Sequence, residues 1–200
     1  MGAQRGLGAA AAMSPARQIA VGIDGCRAGW VAAVLEDDSK GISWRMASQV
    51  TEILEGLPEK ASVLIDMIIG LPEGGAGGRD CDRLARQRLG RQGSRVFPAP
   101  PREALEATSY PEACARARAA TGKAISKQCW YLFPKIRELD TLVEERLRES
   151  HPELVFARLN GGVPLAASKK TKAGREARLR LLEQTLPGSA TACQDILGRT

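Results

Sequence analysis

The segment Ile19-Ala-Val-Gly-Ile-Asp24-Gly-Cys-Arg-Ala-Gly29 decides the fold, because it takes an apolar strand into an aspartate and then into a glycine turn. A second apolar strand follows at residues 30–35, and a later one, Val63-Leu-Ile-Asp66, also ends in an aspartate. A carboxylate removed from water must be paired, hydrogen-bonded or bound to a metal. Two strands that end in this way indicate a shared cation.

The order of the next elements predicts how these two strands meet. Residues 42–46 alternate apolar and polar side chains, which predicts a third strand antiparallel to the second. Ser48 is suited to cap a helix that leads to a fourth strand at 61–67, and this strand is apolar on both faces, as buried parallel strands are. A right-handed crossover would place it beside the first strand. We therefore expect an α/β fold in which Asp24 and Asp66 emerge near one edge of the sheet.

The remainder of the chain reads as mainly helical. Apolar periodicity predicts helices at 80–89, 102–107, 111–121 and 173–186, a long helix from 126 to about 148 that is kinked at Pro134, and a fifth strand at 151–159. We expect a disordered tail at 1–18, one domain at 19–186 with a helical insertion at about 73–148, and an irregular end at 187–200.

Positive charge is concentrated in two places. The formal net charge is +6, residues 79–102 carry seven arginines, and residues 169–180 carry six basic side chains. Dense clusters of this kind attract polyanions such as nucleic acid, although solvated helix faces explain each cluster alone equally well. The odd number of cysteines, five, favours a reduced cytoplasmic setting, and no apolar run is long enough to span a membrane.

Several segments together resemble one family. They are Val21-Gly-Ile-Asp-Gly-Cys-Arg-Ala-Gly-Trp30, Ile65-Asp-Met-Ile-Ile-Gly-Leu-Pro72, Arg79-Asp-Cys-Asp-Arg83 with Val96-Phe-Pro-Ala-Pro-Pro-Arg102, Pro134-Lys-Ile-Arg-Glu138 with Asp140, His151-Pro-Glu153, and Ser168-Lys-Lys-Thr171 with Gly174. In this order they resemble the DUF429 family, a domain of unknown function that is predicted to be an RNase H-like nuclease. The resemblance implies an RNase H-like mixed sheet and a metal-dependent nuclease activity.

The chemistry of such a nuclease assigns candidate roles. Phosphodiester hydrolysis with divalent ions needs carboxylate ligands, which makes Asp24, Asp66 and Glu153 the candidate catalytic and metal-binding residues for Mg²⁺ or Mn²⁺. As alternatives, Asp24 caps the turn at Gly25 and Glu153 is a solvated carboxylate. The candidate phosphate-binding side chains are basic: Arg83, Arg86, Arg95, Arg102, Lys135, Lys169 and Lys170.

The chain departs from the family pattern in two ways. Ile68 stands where family members usually have proline, and the chain stops at Asp195-Ile-Leu-Gly-Arg-Thr200 where members continue into a helix with further acidic residues. We therefore expect impaired activity and a sheet face that is open to homodimer formation. Two alternative functions remain: a non-catalytic nucleic-acid-binding or protein-binding module, and a nucleotide-binding phosphotransferase, because Gly22, Gly25 and Gly29 resemble the phosphate-binding hairpin of actin-like ATPases.

Overall fold

A five-stranded mixed sheet organises the protein. The computed structural model describes residues 18–36, 41–73 and 78–197. The strands are β1 (Ile19–Cys26), β2 (Gly29–Glu36), β3 (Ile42–Ala47), β4 (Ser62–Asp66) and β5 (Leu147–Glu149), in the order β3-β2-β1-β4-β5. The first three strands are antiparallel, and β4 and β5 run parallel to β1. The predicted α/β fold is confirmed.

Eight helices accompany the sheet within the described residues. They are α1 (Val50–Glu55), α2 (Asp80–Leu89), α3 (Arg102–Leu105), α4 (Tyr110–Thr121), α5 (Lys127–Asp140), α6 (Pro152–Leu159), α7 (Lys172–Thr185) and α8 (Ser189–Leu197), with a 3-10 helix at Gly90–Arg95 after α2. Helices α2 to α5 lie in the chain between β4 and β5. Within the described part of the chain, no helix is both long enough and apolar enough to cross a membrane.

One face of the sheet carries the core. Val21 and Ile23 of β1 and Val63 and Ile65 of β4 point to the same side, because alternate residues of a strand share a face. They belong to one buried cluster with side chains of α1, α4 and α5, including Phe133. The opposite face is more open: Ala20, Gly22, Ser62 and Leu64 are exposed there. The carboxylates of Asp24 and Asp66 belong to this open face.

The predicted helix from 126 to 148 is too long. Helix α5 ends at Asp140, and residues 147–149 form β5 instead. The cause is tertiary: the Arg146 guanidinium donates hydrogen bonds to the carbonyls of Leu54, Leu57 and Pro58, which turns the chain back toward the sheet. Ser150 then donates its N–H to the carbonyl of Ile65 and continues the pairing with β4.

The predicted strand at 151–159 is wrong, because these residues form helix α6. Pro152 occupies the first turn, where its missing N–H costs nothing, and Glu153 follows it. Their signal for a helix start outweighs the apolar content of the segment, which had suggested a strand. The predicted irregular end at 187–200 is also a helix from 189 to 197, since the Glu183 carboxylate accepts hydrogen bonds from the N–H groups of Gly188 and Ala190 at its start. The predicted tail lies, up to residue 17, outside the described residues.

A buried ion pair joins α6 to α7. Glu153 and Arg178 are only 6% and 7% exposed, and both Glu153 oxygens accept from Arg178 Nη2, at 2.9 and 2.7 Å. Arg95 Nη1 donates to the same carboxylate at 2.7 Å. Burial of charged groups is tolerated only when they are paired, so this cluster fixes the two helices relative to each other.

We predict that Glu153→Ala lowers the free energy of unfolding by about 3–5 kcal/mol, because it leaves the buried Arg178 charge without its carboxylate. Urea denaturation measures this loss. Glu176→Ala on the same helix α7 is the control: its pair with Lys172 is exposed, and we expect a change below about 0.5 kcal/mol. A Glu153→Ala protein as stable as the wild type would contradict the assigned role.

Candidate active site

Asp24 and Asp66 lie side by side. In the parallel pairing of β1 with β4, the two residues are direct register partners. Neighbouring strands are about 4.8 Å apart, so the two Cα atoms are separated by a single strand spacing. Asp24 Oδ1 also accepts a hydrogen bond from the N–H of Gly25 at 2.7 Å, as in the alternative of a turn-capping aspartate. The structure thus places the two aspartates together at one end of the sheet, as predicted.

A cavity of about 580 Å³ opens at this aspartate pair. Its wall includes three lysines that were predicted to bind phosphate: Lys135, Lys169 and Lys170. His151 and Arg95 also line it. The cavity is therefore lined by the aspartate pair and by basic side chains, together with Asp82, Glu149 and Glu153. Acidic and basic groups that line one cavity suit a cation and a phosphate group together.

Lys135 is positioned from helix α5. Its Nζ donates to the carbonyl of Gly29 at 2.6 Å and lies 4.6 Å from the centroid of the Trp30 ring. One helical turn later, Glu138 accepts hydrogen bonds from Trp30 Nε1 and from the N–H of Val50, which fastens α5 to the sheet. Gly25 makes the approach possible, because a Cβ at this position would lie 2.8 Å from the Lys135 side chain.

The loop before α7 carries Lys169 and Lys170. Thr171 caps α7 by accepting a hydrogen bond from the N–H of Gly174 at 3.1 Å. A Cβ on Gly174 would fall 1.9 Å from the carbonyl oxygen of Ser168, so only glycine lets the helix pack this closely against the loop. This packing holds the lysines at the cavity.

The environment of the aspartate pair raises the pKa of both carboxyl groups. Loss of hydration is the main cause for each of them. The negative charge of Asp24 further raises the pKa of Asp66, whereas Lys169 acts in the opposite direction on both groups. Two like charges with reduced hydration are relieved by a proton or by a cation. The pair is therefore electrostatically suited to bind a positive ion.

Glu153, the third predicted metal ligand, is not free to bind a metal ion as Asp24 and Asp66 are. It is in the first turn of α6, and its carboxylate is bound by Arg178 and Arg95. Among the described residues, no group of three or more His, Cys, Asp or Glu side chains is arranged to hold a metal ion. The predicted set of three ligands is thus reduced to two, because arginines neutralise the third.

The predicted phosphate-binding arginines are largely engaged elsewhere. Arg102 pairs with Asp140 at 2.5 Å, and Arg86 donates to the carbonyl of Val96. Arg83 forms an exposed pair with Asp80, and Arg95 binds Glu153. Of these four, Arg95 is the one that lines the cavity. Three of these four arginines, Arg83, Arg86 and Arg102, are therefore bound to residues within the insertion itself.

Sequence reasoning missed the role of Arg79. Its guanidinium pairs with Asp82 at 2.5 Å and with Glu149 at 2.6 Å, and donates to the carbonyls of Ile69 and Gly70. Burial acts to lower the pKa of Arg79, but the hydrogen bonds and negative charges of Glu149 and Asp82 together outweigh it and raise the pKa above its ordinary value. Arg79 thus clamps the loop that follows Asp66 onto β5. The family motif at residues 79–83 marked Arg79 as a residue of interest. Its partner Glu149 lies 70 residues later in the chain, so no local pattern could predict the pair.

Comparison with known proteins identifies the family. The family described as "Protein of unknown function (DUF429)" matches residues 22–198, which is most of the chain and includes both aspartates. No curated protein and no solved structure matches. The match begins within β1 and continues through the insertion to the end of α8. The chain belongs to the DUF429 family.

Proposed function

We propose that this protein hydrolyses phosphodiester bonds of nucleic acid with the help of one divalent metal ion, Mg²⁺ or Mn²⁺, held by Asp24 and Asp66. The observation that carries the proposal is the direct register pairing of these two aspartates, which line a cavity together with three lysines. Carboxylate oxygens are preferred ligands of both ions, and a cation relieves the repulsion within the pair. The residues present therefore fit one such ion.

The remaining side chains suit a phosphate substrate. Lys169 and Lys170 sit on the cavity wall, where they can offset phosphate charge, and Lys135 is held beside Gly25. A divalent ion, when bound, supplies Lewis-acid stabilisation of the charge that develops on phosphate oxygens. Asp24 and Asp66 would hold the ion, and the lysines would orient the substrate phosphate.

The number of free carboxylates sets an upper limit on the activity. Two-metal phosphodiester hydrolysis needs additional carboxylate ligands, and the nearby Glu149 and Glu153 are both paired with arginines. We therefore propose slow hydrolysis through a single metal site.

The state of the cysteines supports a cytoplasmic location for this activity. All five are free thiols, as is usual in a reducing compartment: Cys26, Cys81, Cys114, Cys129 and Cys193.

The pairing of Glu153 with arginines also favours a second candidate function. A domain whose third acidic group is neutralised can bind nucleic acid without cleaving it. This candidate predicts salt-sensitive binding with no turnover, weakened by Lys169→Gln in the cavity and not by Lys172→Gln, whose side chain is 87% exposed on α7. Binding that is insensitive to salt would exclude it.

We predict that purified protein cleaves at least one of single-stranded, double-stranded or hybrid substrates in Mg²⁺ or Mn²⁺, and that Asp24→Asn or Asp66→Asn reduces the rate by at least about 100-fold. Loss of one ligand of a two-carboxylate site removes half of the negative charge that holds the ion and one of its two protein ligands. Gel-based cleavage assays with and without EDTA measure the effect.

Asp80→Asn is the matched control, because Asp80 is an exposed aspartate at the start of α2 outside the cavity. It should cleave like the wild type. Cleavage by both aspartate variants at the wild-type rate would refute the metal site, and binding without cleavage by the wild type would favour the second candidate.

We predict that Asp66→Asn stabilises the metal-free protein at neutral pH. The pKa of Asp66 is raised in the folded protein, so its contribution to stability is full below the unfolded value near 3.8 and is lost as the pH rises through the higher folded value. Solvent screening keeps the gain small: roughly 0.5 kcal/mol, or about 1–2 °C in Tm for a domain of this size.

Thermal melts in EDTA at pH 7 and at roughly pH 3 test this expectation, since the difference between variant and wild type should disappear below the unfolded pKa of 3.8. Mg²⁺ at about ten times its Kd should add roughly 1.4 kcal/mol to the wild type and nothing to the variant. A variant that is less stable than the wild type at pH 7 in EDTA would show that the pair is not electrostatically strained.

A further inference from the structure

A second, smaller recess adjoins the aspartate pair. It has a volume of about 210 Å³, and Asp24 and Asp66 line both this recess and the larger cavity. The other walls are mainly apolar and come from Leu64 of β4 and from Val155 and Phe156 of α6. The aspartate pair therefore separates a lysine-lined cavity from an apolar recess.

The apolar walls of this recess are open to solvent. Leu64 is 45% exposed although it lies in the middle of a strand, and Val155 is 39% exposed. Exposed apolar side chains that are scattered singly are ordinary, but here they converge from two elements beside a candidate active site. Such a surface gains free energy when an apolar or aromatic group covers it.

We propose that this recess binds one unpaired nucleobase of the substrate while the adjoining phosphate lies in the lysine-lined cavity. The inference rests on the proposed function in taking nucleic acid as the ligand, and it adds that the substrate is single-stranded at the site.

The size and the chemistry of the recess support a single base. A volume of about 210 Å³ equals that of about seven liquid water molecules, which is room for one flat heterocycle. Bases inside a duplex are stacked and cannot enter such a recess unless they are extruded. Single strands offer their bases to side chains directly.

Phe156 supplies the aromatic surface. Its ring lies 5.5 Å from the Arg178 guanidinium, which is itself held by the buried Glu153. The ion pair that joins α6 to α7 thus also fixes the aromatic wall of the recess. Stacking on a fixed aromatic side chain beside a basic groove is the usual way in which proteins bind single strands without strict sequence preference.

Fluorescence anisotropy in EDTA tests the subsite without cleavage. The probes are a labelled oligothymidine strand, the same strand with abasic positions, and a duplex of equal length. We expect the duplex and the abasic strand to bind at least about fivefold more weakly than the intact strand, since stacking of one base contributes a factor of this size or more.

Substitutions of the lining residues test whether the base binds in this recess. Leu64→Thr and Val155→Thr each put a β-branched side chain with a polar hydroxyl at an exposed position, so the fold should tolerate them, and each should weaken binding of the intact strand about fivefold while duplex binding is unchanged. Phe156→Leu, checked for folding by circular dichroism, should do the same. Met46→Thr is the control, because Met46 is 55% exposed on the same sheet but does not line the recess.

The outcomes separate this inference from the proposed function. Equal affinity for the three probes, or unchanged affinity in the Leu64 and Val155 variants, overturns the base subsite even if the protein cleaves nucleic acid in Mg²⁺. Base-dependent binding supports the subsite even if no cleavage is found. If sedimentation shows a dimer that Leu64→Thr dissociates while binding is unchanged, the recess belongs to a second copy of the chain and the proposal fails.

Discussion

The parallel pairing of β1 with β4 is the constraint on which the site depends. A shift of the register by one residue would turn one aspartate to the buried face and separate the two carboxylates. The register is fixed by apolar side chains, since Val21, Ile23, Val63 and Ile65 must all face the core. The same packing that stabilises the sheet therefore forces Asp24 and Asp66 together on the open face, where their hydration is reduced and their mutual repulsion is retained.

Arginines determine which other acids can take part. Arg79 binds Glu149 and Asp82, and Arg178 and Arg95 bind Glu153, so three acidic groups near the cavity are used to hold the insertion and the last helices to the sheet. Each pair is structural, because an unpaired charge at these partly or fully buried positions would be costly. The aspartate pair is different. Lysines offset its negative charges from a distance, and the described part of the chain shows no arginine ion pair with either aspartate. This contrast directs the proposed metal ion to Asp24 and Asp66.

The sequence was informative where local pattern decides structure. Strand alternation, a crossover helix and strand-terminal aspartates predicted the order of the first four strands and the juxtaposition of Asp24 and Asp66. It failed where distant partners decide. Residues 147–149 form a strand only because β4 offers them an edge, and the helix start at Pro152 was outweighed by the apolar content of the segment that follows it. The arginine partners of Glu153 lie 58 and 25 residues away, so no local pattern could show that this carboxylate is neutralised.

The most direct test of a shared cation site is a crystal structure of the protein grown or soaked with Mn²⁺, with anomalous diffraction data. The account predicts one anomalous peak per chain, coordinated by carboxylate oxygens of both Asp24 and Asp66. A peak elsewhere, or full occupancy of the lysine-lined cavity by protein side chains with no peak at the aspartate pair, would contradict it.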